Sequence, residues 1–559
     1  MIMKPNAATT MRRTDTRPQV RALSARLTGH AVIGLGIFAV FLFAISPGEV
    51  NRYDEGLILN GAAWVLDGAV PYRDFWTIYA PGQFWALAGW FKLFGTSVLS
   101  ERIYDALART LLTIACYSAA WAFTRRRGPT AMTATLSVAW LWYIGFYGYP
   151  LIPASAAAIG ACVALVQWLE AERSTGLLVV AGLLAAVAAV FRHDVGAYTA
   201  LALLIGVALA GNRQRRAIPI LLSTMLLGGL PALLFLLVNV PIRELWAQLV
   251  AFPLTTYADV RALPFPSISK SLHAAMTQPG DLHRLSNAVV TVMLGLPLPV
   301  AVFGLYLGLR NGYRHRVGKD AANDLNGHAT ALILLSVLTL LLFSKGLVRP
   351  SAVQMLPAIL LASTLLCCWL TSPHARARRL APSILLLFLP PVIASGQALF
   401  QDGLGPHTMV GVIERSNHEA VGEIPRARGF KLPEDQRRAV SFLREQTAPD
   451  TAIYVGKPRH DRIFVNDVLF YFLAERPSTT RFAELHPGEV TTRATQAEMI
   501  AALERNAVTW VVIWRGAMHQ EPNASGRSSG VRLLDRYIGN HYAQIQAFGD
   551  YLILKRSKD

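Results

Sequence analysis

Asn51-Arg-Tyr-Asp-Glu-Gly-Leu-Ile-Leu-Asn60 sets two adjacent carboxylates, Asp54 and Glu55, a few residues past the first long apolar run, Thr28 to Ile45. Apolar groups follow at 57, 58, 62, 65 and 66, the spacing of one helix face, and Gly68 suits its end. Two readings fit this acidic pair. An Asp at a helix start is a good N-cap and a Glu in the first turn suits the helix dipole. A carboxylate at a membrane boundary can instead take the proton from a hydroxyl nucleophile. On the residues alone, capping is the favoured reading of Asp54.

Working outward, Pro71-Tyr-Arg-Asp-Phe75 and Tyr79-Ala-Pro-Gly82 combine turn residues with aromatics, as expected of a loop lying on a membrane interface. Arg73 and Asp74 either pair with each other or meet a substrate. The rest of the chain explains why a membrane is invoked. Of 559 residues, 53% are hydrophobic and only 16% charged, against about 25% charged in soluble proteins. The net charge of +18 is what cytoplasmic loops of membrane proteins collect, so nucleic acid is not an expected partner. The four cysteines all lie in apolar runs, which implies neither a disulfide framework nor a zinc site.

Spans of about 20 apolar residues are expected at 28–46, 102–124, 129–148, 151–169, 176–191, 195–211, 217–238, 286–309, 328–343, 352–370 and 381–400. Residues 1–27 then form a cytoplasmic tail without a cleavage site, and 28–400 form the membrane domain. The basic clusters at Arg125–Arg127, Arg213–Arg216, Arg310–Lys319 and Arg376–Arg379 fall in alternate loops, on the side of the Arg-rich N-terminus. That side is cytoplasmic by the positive-inside rule. Asp54 and the first external loop, 47–101, are therefore outside, as is everything after about residue 401. In that tail, β-branched and aromatic runs at 450–455 and 508–514 and a hairpin pattern over 542–555 alternate with helical patterns at 434–447, 492–506 and 529–540. The expected architecture is an α-helical polytopic membrane bundle of about 11 transmembrane helices plus an extracytoplasmic α/β domain over 401–559.

The stretch from Arg52 to Arg102, with its Asp54-Glu55 pair, Pro71–Phe75 and Tyr79–Gly82, resembles the first external loop of the GT-C membrane glycosyltransferases. These use polyprenyl-phosphate sugars and include protein O-mannosyltransferases and aminoarabinose transferases. The resemblance implies an inverting transfer of one sugar from a polyprenyl-phosphate donor to a hydroxyl on a cell-envelope glycan, lipid or protein. It makes the bacterial inner membrane the expected location. It reverses the reading of Asp54, which becomes the general base, with Glu55 as a supporting acceptor-side group.

A polyprenyl phosphate leaving group needs cations. Arg192, Lys345 and Arg349 stand in outer loops against the positive-inside trend, and Arg102 lies near the outer boundary. With Arg73, Asp74, Tyr79 and Asp194 they complete the expected substrate-binding set. Asp105 and Arg109 read as an ordinary i,i+4 pair. The chain departs from relatives at three places. Ala80-Pro81-Gly82 lacks the phosphate-binding lysine of a Lys-Pro-Pro-like turn, Tyr147–Pro153 holds no acid, and Arg349–Gln354 keeps only the arginine of an Arg-x-Asp-x-x-His-like pattern. The Trp-Trp-Asp signature of oligosaccharyltransferases is also missing from the tail. No cofactor is implied, and divalent metal use is left open. The competing reading is a lipid-linked sugar flippase or another polytopic transporter, which would place ionisable residues in mid-span and show internal repeats.

Overall fold

The computed structural model describes residues 31–145, 147–170, 174–209, 217–277, 282–317, 327–371, 375–385, 407–418, 424–463, 465–516 and 521–557. The N-terminal tail, the basic residues Arg213, Arg215, Arg216 and Lys319, and most of the eleventh expected span lie outside them.

The chain opens with a short apolar helix, α1 (Ala31–Phe43), and two helices of the first loop, α2 (Asp54–Leu66) and α3 (Gly82–Phe94). The bundle follows as α4 (Val98–Thr124), α5 (Arg127–Ile144), α6 (Leu151–Glu170), α7 (Thr175–Phe191), α8 (His193–Leu209) and α9 (Ala217–Asn239). An irregular helical run then covers 242–261, with α10 (Ile242–Trp246) and α11 (Ala258–Arg261) at its ends. After α12 (Ile268–Thr277) and α13 (Leu282–Gly295) come α14 (Pro297–Val317), α15 (Gly327–Gly346), α16 (Ala352–Trp369) and α17 (Ala375–Leu385).

Six helical stretches are long and apolar enough to cross a membrane by length and composition: 98–124, 151–170, 217–239, 287–313, 328–346 and 352–369. The apolar helices α1, α7 and α8 are shorter. Six such stretches among the described residues stand beside the expected count of about 11, whose eleventh span lies mostly outside them. Their burial differs in a way that fixes the centre of the bundle. The apolar window of α16 is 83% buried and that of α9 only 11%, so α16 is wrapped by other helices and α9 presents its leucines outward. Start signals are local: Ser97 and Ser351 each accept a backbone N–H three residues on, at the N-termini of α4 and α16.

The C-terminal part holds α18 (Met409–His418), α19 (Glu434–Gln446), β1 (Ile453–Gly456), α20 (Leu469–Ala474), α21 (Arg493–Arg505), β2 (Trp510–Trp514), α22 (Leu533–His541), β3 (Tyr542–Phe548) and β4 (Tyr551–Arg556). The strands fall in the apolar runs that suggested them. Their order is β1-β2-β4-β3, with β1 parallel to β2 and the other two pairs antiparallel. The β3–β4 hairpin turns at Gly549, whose φ of +52° favours glycine.

This part does not own its core alone. Ile58, Leu59, Phe84 and Phe91 of α2 and α3 share one buried apolar cluster with Val468–Ala474, Val440, Trp510 and Ile553. The contact is close. A Cβ on Gly56 would lie 2.6 Å from the backbone nitrogen of Leu469, so only glycine lets α2 approach α20 this way.

Candidate active site

The start of α2 is held by Asn51. Its Oδ1 accepts from the N–H groups of Tyr53 at 3.0 Å and Asp54 at 2.8 Å, an Asx turn that satisfies the first orphan donors. Capping therefore falls to Asn51 and leaves the Asp54 carboxylate with no hydrogen bond among the described residues. Its neighbour is committed elsewhere. Glu55, 3% exposed, accepts from Arg102 Nε at 3.0 Å and Nη2 at 3.2 Å and from the Asn51 N–H at 2.9 Å. Arg102 uses Nη1 on the Ser46 carbonyl at 2.7 Å, and its guanidinium lies against the rings of Tyr147 and Phe430. Glu55 and Arg102 are thus held together in a buried ion pair that anchors α2, and both also line the cavity beside Asp54.

Asp54 itself is half-buried at the wall of a cavity of about 500 Å³, shared with Glu49, Arg52, Tyr147, Arg261, Arg349 and Trp514. Burial pushes its carboxyl above the usual aspartate range, and the Glu521 carboxylate adds to this, against the opposing pull of Arg261 and Arg349. Arg349 forms a two-pronged ion pair with Glu521 and donates to the Arg261 carbonyl at 3.0 Å. Arg261 stands 3.9 Å from the same carboxylate. The Asp54 carboxylate and the guanidiniums of Arg52, Arg261 and Arg349, with the Glu55–Arg102 pair, thus face one space large enough for a sugar phosphate.

Arg192 and Lys345 form a second group. Arg192 holds Asp194 in a two-pronged pair at 3.0 and 2.8 Å and donates to the Tyr149 hydroxyl at 3.3 Å. Gln354 donates to that same hydroxyl and accepts from Lys345 Nζ at 2.7 Å. Arg349 lines the Asp54 cavity, whereas Arg192 and Lys345 are linked to each other through Tyr149 and Gln354 and are not among its lining residues. The Tyr79 ring stands edge-on to Tyr149 at 6.2 Å. Arg73 and Asp74 pair with each other on an exposed turn, where Asp74 accepts from the Val70 N–H at 2.7 Å. They are not among the lining residues of the cavity. Asp105 and Arg109 are joined as expected, and they also fix the loop after α5, through the Gly148 N–H on Asp105 and through Arg109 on the Leu141 carbonyl. Among the described residues, no group of three or more His, Cys, Asp or Glu side chains could hold a metal ion.

Sequence reasoning missed Arg261, Glu521 and Glu484. Arg261 carried a readable signal, a cation in an outer loop, but it was hidden in a long loop. Glu484 and Glu521 sit in the C-terminal part, where nothing in their neighbours points to the membrane boundary. Glu484 is 4% exposed and accepts from the Tyr53 hydroxyl at 2.8 Å.

The bundle, the two-helix first loop and the small C-terminal sheet make up a fold that solved structures share. Two crystal structures of ArnT from Cupriavidus metallidurans show the likeness. The apo form superposes with a TM-score of 0.53 at 14% identity, covering 95% of this chain and 98% of that one. The form bound to undecaprenyl phosphate gives 0.51 at 13% identity with the same coverage. At such identity the likeness is one of fold. No protein-family model matches the chain, and no curated protein matches it in sequence.

Proposed function

We propose that the chain is an inverting glycosyltransferase of the outer membrane face, moving one sugar from a polyprenyl-phosphate donor to a hydroxyl of an envelope glycan, lipid or protein. The observation that carries this reading is the Asp54 carboxylate, released from capping by Asn51 and set in a large cavity opposite Arg261 and Arg349. The likeness to a fold that in ArnT binds undecaprenyl phosphate supports the lipid-phosphate donor.

In the reaction, Asp54 takes the proton of the acceptor hydroxyl as its oxygen attacks the anomeric carbon. The bond from that carbon to the phosphate oxygen breaks on the opposite face, so configuration inverts. The charge that develops on the departing lipid phosphate meets Arg349 and Arg261. Arg192, Asp194 and Lys345 form the supporting layer behind Tyr149, and Tyr79 shapes the passage between them. In this reading residues 28–400 carry the membrane part with a cytoplasmic N-terminus, and 401–559 close the site from outside.

The test is transfer in vesicles containing the full-length protein and radiolabelled polyprenyl-phosphate hexoses and pentoses. Label moving to an envelope acceptor with release of polyprenyl phosphate, lost in Asp54→Asn, supports the reading. Transport of intact lipid-linked sugar without bond cleavage would replace it with a flippase.

A further inference from the structure

Glu484 reaches the active-site region from the C-terminal part, and its surroundings are unusual for a carboxylate. Oε1 accepts from the Tyr53 hydroxyl at 2.8 Å. Oε2 is buried and has no hydrogen-bond partner among the described residues. An ionised oxygen left so would cost several kcal/mol, whereas a protonated one carries no charge to desolvate. Beside it is a cavity of about 10 Å³, lined also by Thr77, Arg481 and apolar rings, on the order of the room one water needs.

The charges that face Glu484 come from three directions. From α2 there are Tyr53 and Asp54, and from α11 there is Arg261. On its own segment, Arg481 is taken up by Glu244 and Glu498. His486 is kept neutral by burial and by Arg261, which together depress it to about 3. Arg261 and Arg349 already share Glu521. On the cavity wall Arg102 neutralises Glu55, and Arg52 offsets Glu49, so two guanidiniums stand against three carboxylates, Asp54, Glu484 and Glu521.

We propose that Glu484 is the protonated partner of Asp54, a positioning residue that holds on Oε2 the one proton this charge count requires while Asp54 stays ionised as the base. This rests on the glycosyltransferase reading only for its consequence in catalysis; the proton's place is a property of the resting protein. Burial first, and then the Asp54 charge, raise the Glu484 carboxyl to about 7. With Glu484 protonated the five groups are neutral overall. Once it ionises they carry one surplus negative charge, which opposes an anionic lipid phosphate. The site thus favours its donor below neutral pH and loses it above.

Infrared titration of the full-length protein in bilayers reads this proton without any ligand. The wild type should show a protonated-carboxyl band that disappears with a midpoint near neutrality and is missing from Glu484→Gln. In Asp54→Asn the midpoint should fall by roughly one pH unit, because a like charge has been removed. Tyr53→Phe should raise it, because a hydrogen bond to the ionised form is lost. In the transfer assay the donor KM should climb with pH through neutrality in the wild type and stay level in Glu484→Gln, with kcat little changed. Because Asp467, which burial pushes up to about 6, keeps a band of its own, the readout is the band lost between wild type and Glu484→Gln; no lost band, or a midpoint of that band indifferent to Asp54→Asn, overturns the proposal. Failure of the glycosyltransferase reading would show separately, as absence of transfer with these titrations intact.

Discussion

Asn60 on α2 donates its side-chain amide to the carbonyl of Val468 at 2.6 Å, across 408 residues of sequence. The same amide donates to the Gly56 carbonyl at 2.9 Å. With the Leu469 N–H on the Arg52 carbonyl at 2.9 Å, this clamps the helix that carries Asp54 to the C-terminal part. The start of α20 therefore sets the position of Asp54.

The clamp predicts a stability cost at a residue with no chemistry. Gly56→Ala would push a methyl to 2.6 Å from the Leu469 nitrogen, and overpacking of this kind costs about 1–3 kcal/mol. Thermal melting of the full-length protein in detergent should show the loss, and residues 402–559 expressed alone should melt below the full chain because α20 loses its cover.

Capping and catalysis should separate at two neighbouring positions. Asp54→Asn should leave the melting temperature near wild type while transfer falls by about 10²–10⁴-fold. Asn51→Ala should lower stability by about 0.5–2 kcal/mol through the lost cap. An Asp54→Asn protein with near-normal transfer would remove Asp54 from the mechanism.

In the proposed reaction Arg349 acts on both donor and base. Arg349→Gln should weaken undecaprenyl phosphate binding by about 10- to 150-fold, the worth of one charge-assisted hydrogen bond at about 1.5–3 kcal/mol. It also removes a cation that holds the Asp54 carboxyl down. A base works above its pKa, so the acid limb of kcat/KM should move to higher pH. Lys345→Ala should weaken binding less, since Lys345 is bonded to Gln354 and is not among the lining residues of the cavity.

Arg102 and Glu55 form a buried pair at 3.0 Å, so Arg102→Ala strands an acid inside the protein. A cost of about 3–5 kcal/mol is expected, and Arg102→Met with Glu55→Gln together should recover part of it. A double-variant loss equal to the sum of the losses in Arg102→Met and Glu55→Gln singly, measured by thermal melting, would mean that the pair is not coupled.

What the sequence determined by itself was whatever depends on local pattern. Apolar runs placed the bundle helices, because burial in lipid or among helices needs little beyond hydrophobic length. Alternating β-branched runs placed all four strands. The Asp54-Glu55 pair drew attention only through the family resemblance, since the residues alone favoured capping. Tertiary structure decided what each charge does. Glu55 and Arg102 meet across 47 positions, and Arg349 meets Glu521 across 172. Whether a cation is spent on a buried carboxylate or left to face a cavity depends on which distant segment packs against it, and no residue spacing records that. Asn51 rather than Asp54 receives the first backbone N–H groups of α2, a detail that the shared capping propensity of the two residue types leaves open.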